Sequence, residues 1–585
     1  MNKPDLAVAI DFGTTFSGLA YMQVGRNEML GHLSNWPGAT GQLNKVPTVI
    51  SYERDIRPNT WVPSAFGFAA EAAPPSQRCA MFKMCWDEEE DENMEPEPWQ
   101  TWVKLGKSIT DVVKDYIQLL YDHMLSTFND QGLSPNNINY NILFTVPAQF
   151  EVLEVERFKS IVNSTGFKNH TVSVSLREPE AAILYTINHG MKPLMPTGQC
   201  IVLCDAGGGT VDIASYKVVE LEPKVKIEQV DIVSGAPCGS IIIDRNFKNF
   251  LYRECIDDHW RPFFQTPDGL AHLHLMCQTF TSRKEVFNNS INVPYITLSV
   301  SPPNLTGPNI QNGILKFSRS KMCELFEESV TGTITCLNKH VMRCVAEGYQ
   351  IKSIFLVGGL GSSKYLHNQV KVYIAGIPGN IEVIQPMSAE YAVIRGAIET
   401  HQSDLLGYDQ QIAVKLCPAS YGVKCNRPWD PRIHSRALDE QYVNPVTKKL
   451  MAIGQISWMI RKGDKITGKK MVEIKENFSR SFKKSPEVWG DAIVMCTLDY
   501  PPNRMTEDVK EICTLRSDMS RLAMNEFTKQ KAPEWTFWRR KKFYRCEFDI
   551  IFKIGLTDIE FALWFKEKLR SDLLKIAWSD AKFTA

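Results

Sequence analysis

From residue 6 to about residue 400, short aliphatic runs alternate with helical patterns. The runs Leu6–Ile10, Phe16–Tyr21, Ile142–Val146, Ile201–Cys204, Ile213–Val218 and Ile354–Val357 have the length and composition of buried strands. Between them, Ile109, Val112, Val113, Tyr116, Ile117 and Leu120 recur at three-to-four spacing, which predicts a helix over 108–127. Further helices are expected over 151–165 and 318–346. Strands alternating with helices imply an α/β region. Past about residue 403 the helical period fades, and Ile456–Ile460, Asp491–Leu498, Cys546–Ile554 and Ile559–Phe565 read as strands. In the last run Ile559, Phe561, Leu563 and Phe565 alternate with Glu560, Ala562, Trp564 and Lys566, the period of a half-buried strand. The expected division is 1–403, α/β, and 404–585, β-rich.

Composition narrows the function classes. At roughly 150 residues per domain, 585 residues make three or four packing units. Lysine plus arginine and aspartate plus glutamate each number 66, so no basic surplus calls for a nucleic-acid partner. No run approaches the ~18 apolar residues of a membrane span, and Met1-Asn-Lys-Pro-Asp5 carries no apolar signal core. The 15 cysteines include no CxxC pair, and Cys200 and Cys204 share one face of a strand, a core placement. A cytoplasmic protein with reduced thiols, no membrane partner and no nucleic acid is expected.

Three polar segments have bland readings. The acidic run Asp87–Glu92 with Glu95-Pro-Glu97-Pro reads as a solvated loop, with docking of a basic partner as the sharper alternative. Trp538–Arg545 is basic with aromatic flanks but precedes a strand, as a hairpin connection does. His272-x-His274 has no acidic or cysteine companion at zinc-ligand spacing.

Chemistry concentrates in two segments that resemble each other, Val8-Ala-Ile-Asp11-Phe-Gly13-Thr14-Thr15 and Val202-Leu-Cys-Asp205-Ala-Gly207-Gly208-Gly209-Thr210. Each is an aliphatic strand ending in aspartate, then a glycine-containing turn, then a second strand. Glycine admits a close backbone approach, and hydroxyls with successive N–H groups donate to phosphate oxygens. An aspartate at each turn can hold Mg2+ through its water shell, because that ion gives up water reluctantly. Two such turns can grip one polyphosphate from opposite sides. Neither GxxxxGK[ST] nor a post-strand GxGxxG occurs, which disfavours P-loop and Rossmann readings.

Asp11-Phe-Gly-Thr-Thr-Phe-Ser resembles the first phosphate motif of the heat shock protein 70 family, the DnaK-type branch of the actin-like ATPase superfamily, and Asp205-Ala-Gly-Gly-Gly-Thr-Val-Asp212 resembles the second. Phe144-Thr-Val-Pro-Ala-Gln-Phe150, Arg177-Glu178-Pro-Glu-Ala-Ala and Phe355-Leu-Val-Gly358-Gly359-Leu-Gly361 resemble later family segments, in order, across residues 6 to 400. The resemblance implies a two-lobed, ribonuclease H-like nucleotide-binding domain with lobes of roughly 1–200 and 201–403, binding ATP or ADP with Mg2+. It implies that Gly13, Thr14, Thr15 and Gly207, Gly208, Gly209 and Thr210 surround the phosphates, and that Asp11 and Asp205 order the metal's waters. Glu178 would touch the same water network, and Lys83 would lie near the γ-phosphate. Gly358, Gly359 and Gly361 would lie against the nucleoside, with Lys284 at the ribose or ring.

The adenosine side departs from the family pattern. Thr281 stands where glutamate is usual, and Ser362 and Ser363 stand where an arginine is usual. The 404–585 region follows the order of the family's β-sandwich strands, without long amphipathic helices for a lid and without an acidic tail at Asp580–Ala585. The reading is an ATPase whose lobe closure is relayed to a β-domain that takes unfolded or client protein. A catalytically silent nucleotide-binding scaffold or switch is the alternative, and a sugar kinase of the same superfamily the remote one.

Overall fold

The computed structural model describes residues 5–25, 31–57, 60–85, 100–148, 150, 152–191, 196–222, 225–288, 294–408, 410–467, 471–484, 488–531, 542–555 and 558–577. The acidic run, residues 538–541 of the basic segment and the last six residues lie outside them. The fold is mixed α/β with several sheets. Two compact units divide it: 1–150 with 157–227 and 233–411, and 412–585 with the short segments 151–156 and 228–232.

The first unit holds two sheets built on one plan. In the first, β1 (Asp5–Phe12) forms an antiparallel hairpin with β2 (Phe16–Gln23), to which β3 (Lys45–Pro47) adds. On its other side β1 runs parallel to β4 (Asn139–Val146), and β4 parallel to β5 (Thr171–Arg177). The second sheet repeats this: β6 (Cys200–Ala206) is antiparallel to β7 (Val211–Glu220) and parallel to β8 (Ile351–Val357), which is parallel to β9 (Glu382–Ile384). Asp11 and Asp205 occupy the same penultimate position of the two leading strands. Every residue of β6 is buried, as a central strand covered on both faces requires.

Helices cover these sheets. α1 (Ile109–Asp130) buries the stripe read from the sequence and starts at a capping box in which the Ser108 hydroxyl accepts from the Asp111 N–H and the Asp111 carboxylate accepts from the Ser108 N–H. α2 (Glu178–Thr186) follows β5 directly, α3 (Ile241–Phe250) and α4 (Pro267–Val286) pack together, and α5 (Arg319–Ala346) lies along β6 and β7. After the turn Gly358–Gly361, α6 (Lys364–Ile374) starts at a Ser363 cap, and α7 (Ala392–Leu405) packs on α2 and β1. A Cβ at Gly396 of α7 would overlap the Ala181 carbonyl of α2, so the two helices meet backbone to backbone.

The second unit contains two antiparallel sheets around one core. One has β10 (Ser420–Pro428) between β11 (Leu450–Ile460) and β13 (Val488–Cys496), with β14 (Val509–Asp518) beyond. The other runs β12 (Val472–Phe482), β15 (Lys542–Ile554), β16 (Asp558–Phe565). Ile559, Phe561, Leu563 and Phe565 face the shared core, as their alternation demands, and meet Tyr421, Ile493 and Leu515 of the opposite sheet there. No described helix is long and apolar enough to cross a membrane, and every cysteine whose side chain is described carries a free thiol.

Candidate functional site

The two aspartate-tipped hairpins of the first unit meet. A Cβ on Gly208 would overlap the Thr15 side chain, and one on Gly209 would lie 2.7 Å from the Thr14 hydroxyl. Only glycine fits there while the threonines keep their positions. Each turn is held from behind. The Thr48 hydroxyl donates to the Gly13 carbonyl at 2.8 Å, and the Thr48 N–H donates to the Thr15 carbonyl at 2.8 Å. On the other side, the N–H groups of Gly239, Ser240 and Ile241, entering α3, donate to the carbonyls of Gly209, Gly207 and Gly208 at 3.0, 3.1 and 2.9 Å. The acceptors of the glycine turn are thus committed to α3. That is the arrangement a phosphate site needs, because carbonyl oxygens facing an anion repel it.

Charged groups gather at these turns. Asp11, Lys83, Asp205 and Asp212 are buried. Lys45 donates to Asp11 Oδ2 at 3.0 Å, and Lys83 donates to Glu178 Oε1 at 3.1 Å and to the Phe12 carbonyl. Thr210 donates to Asp212 at 3.0 Å. Burial, reinforced by Glu178, Asp212 and Asp11, pushes the Asp205 carboxyl well above the usual range, with Lys45 opposing. Burial also raises Glu178 against the pull of Lys83. For Lys45, burial alone would lower the ammonium, but Asp11, backed by Asp205 and Glu178, raises it. Among the described residues, no three His, Cys, Asp or Glu side chains converge closely enough to hold an ion directly. The donors at the turns are carboxylate oxygens, the ligand type that a hard divalent cation takes through its water shell.

A third glycine turn backs the second aspartate. Gly358 has φ +84°, and a Cβ there would sit 2.5 Å from Asp205 Oδ1 and from the Ala206 carbonyl. Gly361 lies against Leu356, while a Cβ at Gly359 would meet open space. Gln385 donates to the Gly361 carbonyl at 2.7 Å, fixing that turn. The Lys284 ammonium donates to both oxygens of Asp244, on α3, at 2.8 and 2.7 Å. The Thr281 hydroxyl is turned back to the Cys277 carbonyl of its own helix at 3.1 Å. Lys284 therefore reaches the phosphate turns only through α3, whereas Asp11, Glu178, Asp205 and Lys83 share one field.

Over 72% of this chain and 72% of that protein, 22% of residues are identical to human "Heat shock 70 kDa protein 12A". The figures for human "Heat shock 70 kDa protein 12B" are 22% over 72% of this chain and 71% of that protein. The chain is distantly similar to heat shock 70 kDa proteins. The mouse 12A protein matches at the same 22% identity. Residues 416–578, most of the second unit, match a family described as "Domain of unknown function (DUF8568)".

Four groups at this site escaped the sequence reading. Lys45 sits in Asn44-Lys-Val-Pro-Thr48, which has no glycine or repeat to mark it. Thr48 and Asp244 work from outside the motifs. Asp212 lay within the second motif, where the even spacing Thr210-Val-Asp212 on a strand was the available signal.

Proposed function

We propose that this chain is a heat-shock-70-like ATP-binding protein that hydrolyses ATP between the two halves of residues 1–403. The observation that carries the reading is the meeting of Gly208 and Gly209 with Thr15 and Thr14, in the field of Asp11, Glu178, Asp205, Lys45 and Lys83. The turns at Gly13–Thr15 and Gly207–Thr210 donate N–H and hydroxyl groups to the β- and γ-phosphates. Magnesium, when bound, offsets phosphate charge and aligns the phosphate oxygens. Asp11 and Asp205 hold its waters. Lys83, fixed by Glu178 and the Phe12 carbonyl, faces the charge that develops as the γ-phosphoryl group leaves. A water attacks phosphorus as the bond to the β-phosphate oxygen breaks, and the water's proton passes to a carboxylate of this cluster, Asp205 or Glu178. Gly358, Gly359 and Gly361 line the nucleoside side with Lys284, whose pair with Asp244 also braces α3.

Residues 404–585 are the proposed receiver of lobe closure and the surface for an unfolded or client protein, in the cytoplasm. The specific observation favouring the silent scaffold or switch is the commitment of Lys284 to Asp244 together with Thr281 and Ser362 at the adenosine side. Calorimetry with Mg-ATP followed by phosphate release separates the two. Turnover that disappears in Asp11→Ala and Asp205→Ala supports the ATPase, binding without phosphate release supports the switch, and absence of binding rejects both.

A further inference from the structure

The contact between Lys45 and Asp11 follows from the sheet register. Asp11 of β1 pairs with Gly18 of β2, and Gly18 pairs with Lys45 of β3. The three residues form one row across the sheet, with their side-chain positions on one face. Two strand spacings put Lys45 about 10 Å from Asp11 in the backbone. Gly18, in the middle, has no side chain; a Cβ there would lie 3.5 Å from Lys45 Cγ. The lysine stem therefore runs over Gly18 and delivers its ammonium to Asp11 Oδ2 at 3.0 Å. A short residue at position 45 could not bridge that span.

The remaining charges define what this ammonium does. Lys83 is committed to Glu178 and to the Phe12 carbonyl. Lys45 also feels Asp205 and Glu178. An incoming triphosphate meets three carboxylates, and without Lys45 the Asp11 carboxylate would repel it unless a divalent ion stood between. We propose that Lys45 is a resident cation of the phosphate site, neutralising Asp11 so that a nucleoside triphosphate binds with little dependence on a divalent cation. This rests on the nucleotide-binding reading above and deepens it. It makes Lys45 a positioning residue that acts through Asp11.

The test is ATP affinity by calorimetry on the full chain, with magnesium and with EDTA, for the wild type, Lys45→Met and Lys45→Arg. Methionine keeps the stem and drops the charge; arginine keeps both length and charge. Removing one cation a few ångströms from the carboxylate is expected to change affinity by about a hundredfold at the effective dielectric of a partly buried site. The wild type should lose less than about tenfold affinity in EDTA, Lys45→Met about a hundredfold more, and Lys45→Arg should behave as the wild type. The wild-type ratio decides even where a variant misfolds: a wild-type loss of about a hundredfold or more in EDTA overturns the inference. Equal losses in wild type and Lys45→Met overturn it as well, while leaving ATP binding intact. Absence of ATP binding by the wild type with magnesium present removes the nucleotide reading, and this inference with it.

Discussion

Replacing Lys83 by methionine tests whether the charge cluster is a packed, water-poor device. The two partners of this pair are only 4% and 13% exposed and meet at 3.1 Å. Removing the ammonium leaves Glu178 buried without its paired cation and takes one donor from the Phe12 carbonyl. Breaking one side of a buried ion pair costs about 3–5 kcal/mol, whereas replacing both partners by apolar groups of similar volume is close to neutral. Lys83→Met should therefore destabilise this region by about 3–5 kcal/mol, and Lys83→Met with Glu178→Met should recover most of that. A chain of two units need not unfold in one step, so the readout is hydrogen exchange at peptides covering β1 and α2. A cost of about 3 kcal/mol corresponds to exchange faster by roughly two orders of magnitude where local opening governs it.

The pH dependence supplies an independent check with a fixed sign. The native Glu178 carboxyl is raised by burial, so the stability it contributes is full below the ordinary carboxyl value of about 4.3 and is lost as pH rises through the native value. Without Lys83 the native value rises further, so the variant's deficit should be larger at pH 8 than at pH 5. Exchange in Lys83→Met within about threefold of the wild type, or no recovery in the double variant, would refute the buried-pair account.

Asp205 carries the same sign. With its carboxyl pushed well above the ordinary range, the nucleotide-free protein loses stability as pH rises from about 4 through that native value. Asp205→Asn should flatten the melting temperature between pH 5 and 8, with the removed slope no greater than about 1.4 kcal/mol per pH unit; an unchanged profile sinks the assignment. Gly208→Ala should weaken ATP binding by about tenfold or more, since an overpacked methyl costs about 1–3 kcal/mol, and Thr15→Gly in the same chain should relieve the overlap without restoring the lost hydroxyl.

Much of this site was legible because its information is local. An aliphatic strand, an aspartate and a glycine turn lie within a dozen residues, and strand period fixes which side chains leave the sheet together. The same locality exposed the inward row Ile559, Phe561, Leu563 and Phe565 of β16 and the buried stripe of α1. Lys45 was illegible because its meaning comes from register: only the pairing of β3 with β2 shows that glycine at position 18 opens a path from position 45 to position 11. The partner of Lys284 was illegible for a related reason: Asp244, 40 residues earlier on a different helix, takes its charge. The tethering of the glycine turn by the N–H groups of Gly239 to Ile241 was equally hidden, because backbone hydrogen bonds between separate segments leave no trace in side-chain pattern.

The two sheets share a strand plan and an aspartate position, yet their turns differ, and contact explains the difference. Threonines at positions 14 and 15 present hydroxyls across the gap, and glycines at 208 and 209 leave room for them. Side chains on both turns would force the halves apart, as the overlap at Gly208 demands. Glycines on both would bring backbones together but remove the hydroxyl donors. A matched pair of hairpins built on one plan thus has to diverge at its tips if the tips are to touch. The carboxylates impose the complementary demand. Lys45 and Lys83 stand among Asp11, Glu178, Asp205 and Asp212, and two cations against four acids still leave Asp205 raised. Lys45 pairs with Asp11 and Lys83 with Glu178, so the shortfall of positive charge falls on Asp205, while the Asp11 side meets a triphosphate with its cation already in place.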